Sequence, residues 1–151
     1  MSHFDHERLD AYRAAIDFLV AAARIAEGFP RGYSSLADQL RRAATSICLN
    51  IAEGAGEFSG KEKARFYRIA RRSATECAAA LDVRRVLDAT LTKQATADRD
   101  LILGRDLLLR IVPMLVKMAQ RAERVGTVDS EPGSGSGSGA GAGAGAGPER
   151  C

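Results

Sequence analysis

The sequence predicts an all-α protein: an up-down-up-down antiparallel four-helix bundle with a disordered Gly/Ser/Ala-rich C-terminal tail. Apolar residues recur three and four positions apart along four segments, which is the period of one helix face. Only 5% of the 151 residues are aromatic and none is Trp, which argues against a sandwich or barrel. We therefore expect a bundle domain over residues 1–126. Residues 127–151 form a flexible low-complexity tail, because Gly alternates with Ser or Ala over 133–147 and builds no core.

The first predicted helix runs from Asp5 to Glu27, and the sequence Gly28-Phe29-Pro30 ends it. The second begins near Leu36 and covers the apolar stripe to Ile51. Ser34 or Ser35 is its expected N-cap, with Asp38 in the first turn, where a negative charge suits the helix dipole. Gly54 and Gly56 are expected to end it in the left-handed conformation.

The third helix is predicted over Lys61–Ala89, capped by Ser59 with Glu62 at the capping-box spacing. The fourth is predicted over Thr96–Arg124, with a kink at Pro113. Its polar residues fill only about a third of its circumference, and Leu49 also points away from the stripe of its own helix. The wide apolar surface of the fourth helix is also explained if that helix is central in the monomer. We favour the alternative that it is surplus apolar surface, which a second subunit covers.

The third helix separates into two faces. Its apolar residues lie opposite a row of four cations, here called the basic row: Lys61, Arg65, Arg68 and Arg72. A solvated helix face explains such a row. However, residues 31–72 carry nine Lys/Arg against four Asp/Glu, while residues 1–30 carry three against five. This segregation favours a polyanionic partner, with Arg41 and Arg42 as further candidates. Without interleaved aromatic residues, the row indicates phosphate contact rather than base reading.

A polar group lies where the second and third helices are expected to meet: Asn50, Glu53, Ser73 and Glu76. We interpret it as a hydrogen-bonded structural junction, since polar groups near a core must be satisfied. A catalytic carboxylate pair also fits these residue types, but the sequence offers no nucleophile or metal ligand to go with it.

The remaining residues do not predict an enzyme, a cofactor or a metal site. His3 and His6 are the only histidines and lie near an exposed terminus. No glycine-rich phosphate loop, zinc-ligand cluster or Ser/His/Asp set is present. We expect no signal peptide and no membrane span. Cys48 and Cys77 read as small buried apolar residues, and three cysteines make no disulfide framework. These features favour the cytoplasm.

Three stretches carry a resemblance to a known family. They are QLRRAATSI at 39–47, NIAEG at 50–54 and KEKARFYRIARRSATE at 61–76, and the span from 39 to 76 is about a quarter of the chain. They resemble the small bacterial four-helix-bundle proteins encoded in 23S ribosomal RNA intervening sequences. The same fold family includes the accessory variability determinant of diversity-generating retroelements. Cys48 and Ala55 stand where the family usually has a proline and an aromatic residue.

The resemblance implies a ring-like, pentameric homo-oligomer with a basic face and a binding role without chemistry. It also implies nucleic acid, and a protein such as a reverse transcriptase, as partners. The predicted function is therefore a non-enzymatic oligomer that binds RNA or DNA phosphates through Lys61, Arg65, Arg68 and Arg72 with Arg41 and Arg42. The alternative is a scaffold that binds only protein and docks an acidic partner on the same face.

Overall fold

A computed structural model describes residues 2–91 and 99–128. The first two residues of the predicted tail, 127 and 128, belong to the last helix, and the rest of that tail lies outside the described residues. Every regular element within those two ranges is helical, which confirms the all-α prediction. The elements are a short 3-10 helix and four α-helices: Asp5–Arg8, α1 Asp10–Glu27, α2 Ser34–Gly56, α3 Gly60–Leu91 and α4 Arg99–Val128. No described helix is both long and apolar enough to cross a bilayer.

The four helices lie at the corners of a square. Each packs against the next along the chain, and α4 closes the square against α1, while the backbones of the diagonal pairs lie further apart. Polar contacts between α2 and α3 pair residues in opposite sequence order. Gln39 and Ser46 of α2 meet Glu76 and Ser73 of α3, respectively, so these two helices are antiparallel. The bundle is therefore the up-down-up-down arrangement expected for short connections.

The core is built from a few large aliphatic side chains set among many alanines. The largest fully buried residues are Phe18, Ile25, Leu40, Ile47, Ile51, Cys77, Ile111 and Leu115. Alanines on the same stripes let the helix backbones approach closely. A smaller cluster of Ala64, Tyr67, Ala119 and Ala122 joins the start of α3 to the end of α4. Most buried apolar residues thus form one cluster, and Met118 packs against both this cluster and the smaller one.

The start of the bundle differs from the prediction of one helix from Asp5 to Glu27. Leu9 is extended, with φ −84° and ψ 124°, and separates the 3-10 helix from α1. Its carbonyl accepts from the amides of Tyr12 and Arg13, so it serves as the N-cap. The break lets the 3-10 helix pack mainly on α2.

The ends of α2 also differ from the prediction. Ser34 and Ser35 lie inside the helix, because the Tyr33 carbonyl accepts from the amides of Leu36 and Ala37 and Tyr33 is the N-cap. Asp38 consequently falls outside the first turn.

The prediction of left-handed glycines at the end of α2 is wrong. The helix continues to Gly56, and among the described glycines only Gly32 has a positive φ, at 90°. Gly54 is buried for a different reason: a β-carbon there would lie 2.6 Å from Cε1 of Tyr67. The glycine of the NIAEG stretch therefore makes room for an aromatic ring of α3.

The cap of α3 follows the prediction. The Glu62 amide donates to Oγ of Ser59 at 3.4 Å, and the Lys63 amide donates to the Ser59 carbonyl at 2.9 Å. Pro113 lies within α4, which continues past it to Val128. The kink predicted there stays a prediction.

Two glycines near the end of α2 offer a matched test of this packing. We expect Gly54→Ala to lower the free energy of unfolding by about 1–3 kcal/mol, because the new methyl group displaces the Tyr67 ring. Gly56→Ala meets open space. It should leave stability unchanged or raise it by up to about 1 kcal/mol by restricting the unfolded chain. Urea denaturation measures both, and equal effects of the two substitutions would contradict the close approach of Gly54 and Tyr67.

Both cysteines of the bundle are free thiols buried between α2 and α3. Burial raises the pKa of the Cys48 thiol to about 11. Burial, aided by the negative charge of Glu76, raises the pKa of the Cys77 thiol to about 12. The folded protein therefore holds both protons at a pH at which the unfolded chain releases them.

This difference predicts a loss of stability in alkali. Below the unfolded thiol pKa of about 8.5 the contribution is fully present, and it is lost as pH rises toward the folded values. Between about pH 8 and pH 10 each thiol should lower the free energy of unfolding by about 2 kcal/mol. Denaturant titrations of the wild type and of the Cys48→Ala/Cys77→Ala variant at both pH values measure this loss. The free energy of unfolding should fall less in the variant than in the wild type. Equal losses would show that the thiols titrate alike in both states.

Candidate nucleic-acid interface

The basic row lies on the outer face of α3, and all four of its side chains are exposed. Two of the four are paired. Arg65 donates through Nε to a carboxylate oxygen of Glu62 at 3.0 Å and lies 5.2 Å from the centroid of the Phe66 ring. Arg68 forms an ion pair with Glu123 of α4. The row is thus partly neutralised by its own protein.

These pairs do not remove the arginines from solvent. The side chains of Arg65 and Arg68 keep 58% and 47% of their accessible area. Exposed ion pairs contribute only about 0–1 kcal/mol and are screened by salt, so a polyphosphate can compete for both guanidinium groups. The carboxylates lower the positive potential but leave the cations accessible.

Three of the six predicted cations are unpaired. Within residues 2–91 and 99–128, Lys61, Arg72 and Arg42 are exposed and form no ion pair. Arg41, in contrast, pairs with Asp38 at 3.0 Å on α2. The unpaired cations therefore come from both helices rather than from α3 alone.

The seam between α2 and α3 brings two of these cations to the same stretch of surface. Gln39 donates through Nε2 to Glu76 at 2.9 Å, and the hydroxyl groups of Ser46 and Ser73 are 2.9 Å apart. Arg42 lies between Gln39 and Ser46 on α2, and Arg72 directly precedes Ser73 on α3. The register fixed by the two bonds places both arginines beside this length of the seam.

The predicted junction residues divide into three groups. Asn50 donates through Nδ2 to the carbonyl and hydroxyl of Ser46, whose hydroxyl is bonded to the buried Ser73. Glu76 forms the separate bridge to Gln39. Glu53 is exposed and lines a shallow depression of about 370 Å³ on the outer face of α2. The structure thus joins Asn50 to Ser73 through Ser46, a residue that the sequence interpretation did not include.

The outer face of α3 changes character along its length. The stripe that begins with the basic row continues at the same helical spacing with Ala79, Val83 and Val86, which are exposed. Further exposed apolar side chains lie on α4, at Ile102, Leu103 and Leu109, and Leu49 is exposed on α2. These are the side chains on which the predicted contact between subunits depends.

The described residues contain no group of three or more His, Cys, Asp or Glu side chains placed to hold a metal ion.

A family model described as 23S rRNA-intervening sequence protein matches residues 7–100, which is more than half of the chain. The chain belongs to this family. No curated protein matches the sequence. The matched range of this intervening-sequence protein contains α1, α2 and α3, including the complete basic row and the polar seam. Nearly all of α4, with the Glu123 that pairs with Arg68, lies beyond it.

One cation of the protein has a structural role that the sequence interpretation missed. Arg84 of α3 is only 7% exposed. Its Nε donates to both carboxylate oxygens of Asp88, at 2.8 and 3.0 Å, and its Nη1 donates to the carbonyl of Ile25 at 2.6 Å. The guanidinium group also lies over the Phe29 ring, 5.5 Å from its centroid. Arg84 therefore satisfies a carbonyl in the last turn of α1, where a cation is favoured.

A sequence signal for this contact exists but is weak. Arg84 and Asp88 are four residues apart on one helix, a spacing that permits an ion pair. Gly28 is close enough to the guanidinium group that a β-carbon there would collide with it. Only the packing of α3 against the end of α1 reveals that the pair is buried.

Adjacent arginines provide a matched test of this role. Arg84→Lys should lower the free energy of unfolding by about 1–3 kcal/mol, because an ammonium group cannot bond Asp88 and Ile25 in the same geometry. Arg85 is exposed. Arg85→Lys should therefore change stability by no more than about 0.5 kcal/mol. Urea denaturation measures both variants, and a harmless Arg84→Lys would show that the buried contacts contribute little.

Proposed function

We propose that this intervening-sequence protein is a non-enzymatic module that binds the phosphate backbone of RNA or DNA and works as a homo-oligomer. The contacting residues are the basic row on α3 together with Arg41 and Arg42 on α2. The family name, which refers to ribosomal RNA, is compatible with an RNA partner. We further propose a cytoplasmic location, where such a partner is present.

The observation that carries this proposal is a set of exposed cations that form no ion pair among the described residues, Lys61 and Arg72 on α3 and Arg42 on the neighbouring α2. Exposed guanidinium and ammonium groups without a carboxylate partner are the groups that phosphate oxygens bind most readily. Their arrangement along a helix face suits a backbone that carries regularly spaced charges. Arg65 and Arg68 add to the same face when phosphate displaces Glu62 and Glu123.

A few phosphate contacts give one copy only weak affinity, so self-association is part of the proposal. Joining several copies makes the later binding events intramolecular and multiplies affinity without new contacts. The exposed apolar residues on α3 and α4, among them Val86 and Leu109, supply surface that a second copy can bury. A ring of about five copies, as the family resemblance implies, presents the same basic face repeatedly. An accessory role beside a larger enzyme such as a reverse transcriptase fits this arrangement.

A pair of charge-reversal variants tests the binding face. We expect Arg42→Glu/Arg72→Glu to weaken binding to a labelled RNA and to reduce the slope of log affinity against log salt, by up to about one unit per lost contact. Arg110→Glu/Lys117→Glu on α4 is the control, because both residues are exposed and each double replacement lowers the formal net charge of +3 by four. Fluorescence anisotropy from about 0.05 to 0.2 M salt measures the slopes.

Equal losses in the two variants would show that only the overall charge matters and would contradict a defined face. No RNA or DNA binding by the wild type, together with capture of an acidic protein after nuclease treatment, would favour the scaffold that binds only protein. Native mass determined with and without RNA tests the oligomer, and a strictly monomeric protein would remove the avidity argument.

A further inference from the structure

A groove of about 350 Å³ lies at the end of the bundle where α3 begins and α4 ends. Its apolar walls include Tyr67, Met118 and Ala122, and Phe58 stands at its rim. The groove lies outside the basic row. Its volume falls in the range of about 300–1,000 Å³ that is typical of small-ligand sites, so a single nucleotide is of suitable size.

Phe58 is the most exposed large apolar residue of the described chain, with an accessibility of 104%. The loop that carries it is held on both sides. The Glu57 amide donates to the Gly54 carbonyl at 3.3 Å, and Ser59 caps α3. The ring is therefore presented to solvent by a short, hydrogen-bonded turn, and no residue of the described ranges covers it.

Two cations line the same groove, Lys63 from α3 and Arg121 from α4. Neither forms an ion pair within the described ranges 2–91 and 99–128. No carboxylate is among the described residues that line the groove, and the adjacent Glu62 and Glu123 pair with Arg65 and Arg68. The groove is consequently positive, with an aromatic rim and an apolar floor.

This combination favours a ligand with a flat aromatic face next to a negative charge. We propose that the groove binds an unpaired nucleotide of a single-stranded nucleic acid, with its base stacked on Phe58 and its phosphates on Lys63 and Arg121. Stacking on an aromatic side chain accepts any base, and cations beside it follow the backbone. In a duplex the base faces are covered by their neighbours, so only an unpaired base reaches the ring. This inference rests on the proposed function and adds a preference for single strands to it.

Two RNA ligands of about 16 nucleotides test the preference, a single strand and its duplex, with binding measured by fluorescence anisotropy. Phe58→Ala should weaken single-strand binding roughly 5- to 150-fold, which is the usual effect of losing one stacked base, and leave duplex binding unchanged. Phe58→Trp should retain the single-strand affinity. Phe4→Ala is the control, because Phe4 is also exposed but does not line the groove, and it should change neither affinity.

The outcomes separate this inference from the proposed function. Suppose that Phe58→Ala binds single strands like the wild type, while Arg42→Glu/Arg72→Glu binds both ligands more weakly. The inference is then wrong, and the proposed basic face is supported. If the wild type binds neither ligand, both are wrong. If Phe58→Ala lowers the native mass and reduces the affinity for both ligands equally, Phe58 is a contact between copies and the inference is wrong. Thermal denaturation should show unchanged stability, since Phe58 buries nothing.

Discussion

The hydrogen bonds across the α2–α3 seam fix the geometry on which the rest of the structure depends. The bonds Gln39–Glu76 and Ser46–Ser73 join the same two helices at two positions along their length, so they set the axial register of α2 against α3. That register places Gly54 against Tyr67. It also determines where the turn that carries Phe58 leaves α2. A core of mostly alanine and aliphatic side chains would specify this register less strictly, because apolar packing lacks direction.

Arginine has two opposite roles in this protein. Arg84 is buried, with its donors directed at Asp88 and Ile25, and it holds the end of α1 on α3. Arg72 is exposed and has no carboxylate partner among the described residues. Arg65 and Arg68 lie between these extremes, paired but accessible. A count of basic residues therefore overstates the unpaired positive charge, and Lys61, Arg72 and Arg42 are the predicted cations that form no ion pair among the described residues.

The sequence was sufficient to predict four helices and the buried stripe of α2, but not the buried face of α1, where Ile16 and Ala23 of the expected apolar stripe are exposed. The three-four spacing places Leu40, Ile47 and Ile51 in the core, and the family stretches identify the same bundle. The N-cap at Tyr33 was not predictable from side-chain preference, since the turn from Pro30 supplies it. The buried role of Gly54 depends on Tyr67, thirteen residues further along and on another helix. The Arg68–Glu123 pair joins positions that only the closed bundle brings together.

The Phe58 groove escaped the sequence interpretation for the same reason. Its aromatic rim and one cation follow from the α2–α3 turn, but Arg121 comes from α4, beyond the range that the family model matches. The absence of aromatic residues within the basic row predicts phosphate contact along α3, and this stays a prediction. That absence did not exclude an aromatic residue just before α3, where α4 supplies the other wall of the groove.

The outer stripe of α3 changes from cations at Lys61–Arg72 to aliphatic side chains at Ala79–Val86. The two halves respond oppositely to ionic conditions. Dissolved ions screen the first half, whereas strongly hydrated salts such as sulfate strengthen the burial of the second. The helix α3 thus carries two surfaces whose interactions respond oppositely to the salt concentration. If the protein assembles and binds a polyanion as proposed, concentrated sulfate should strengthen contact between copies along the aliphatic half and weaken binding of the polyanion by the cationic half.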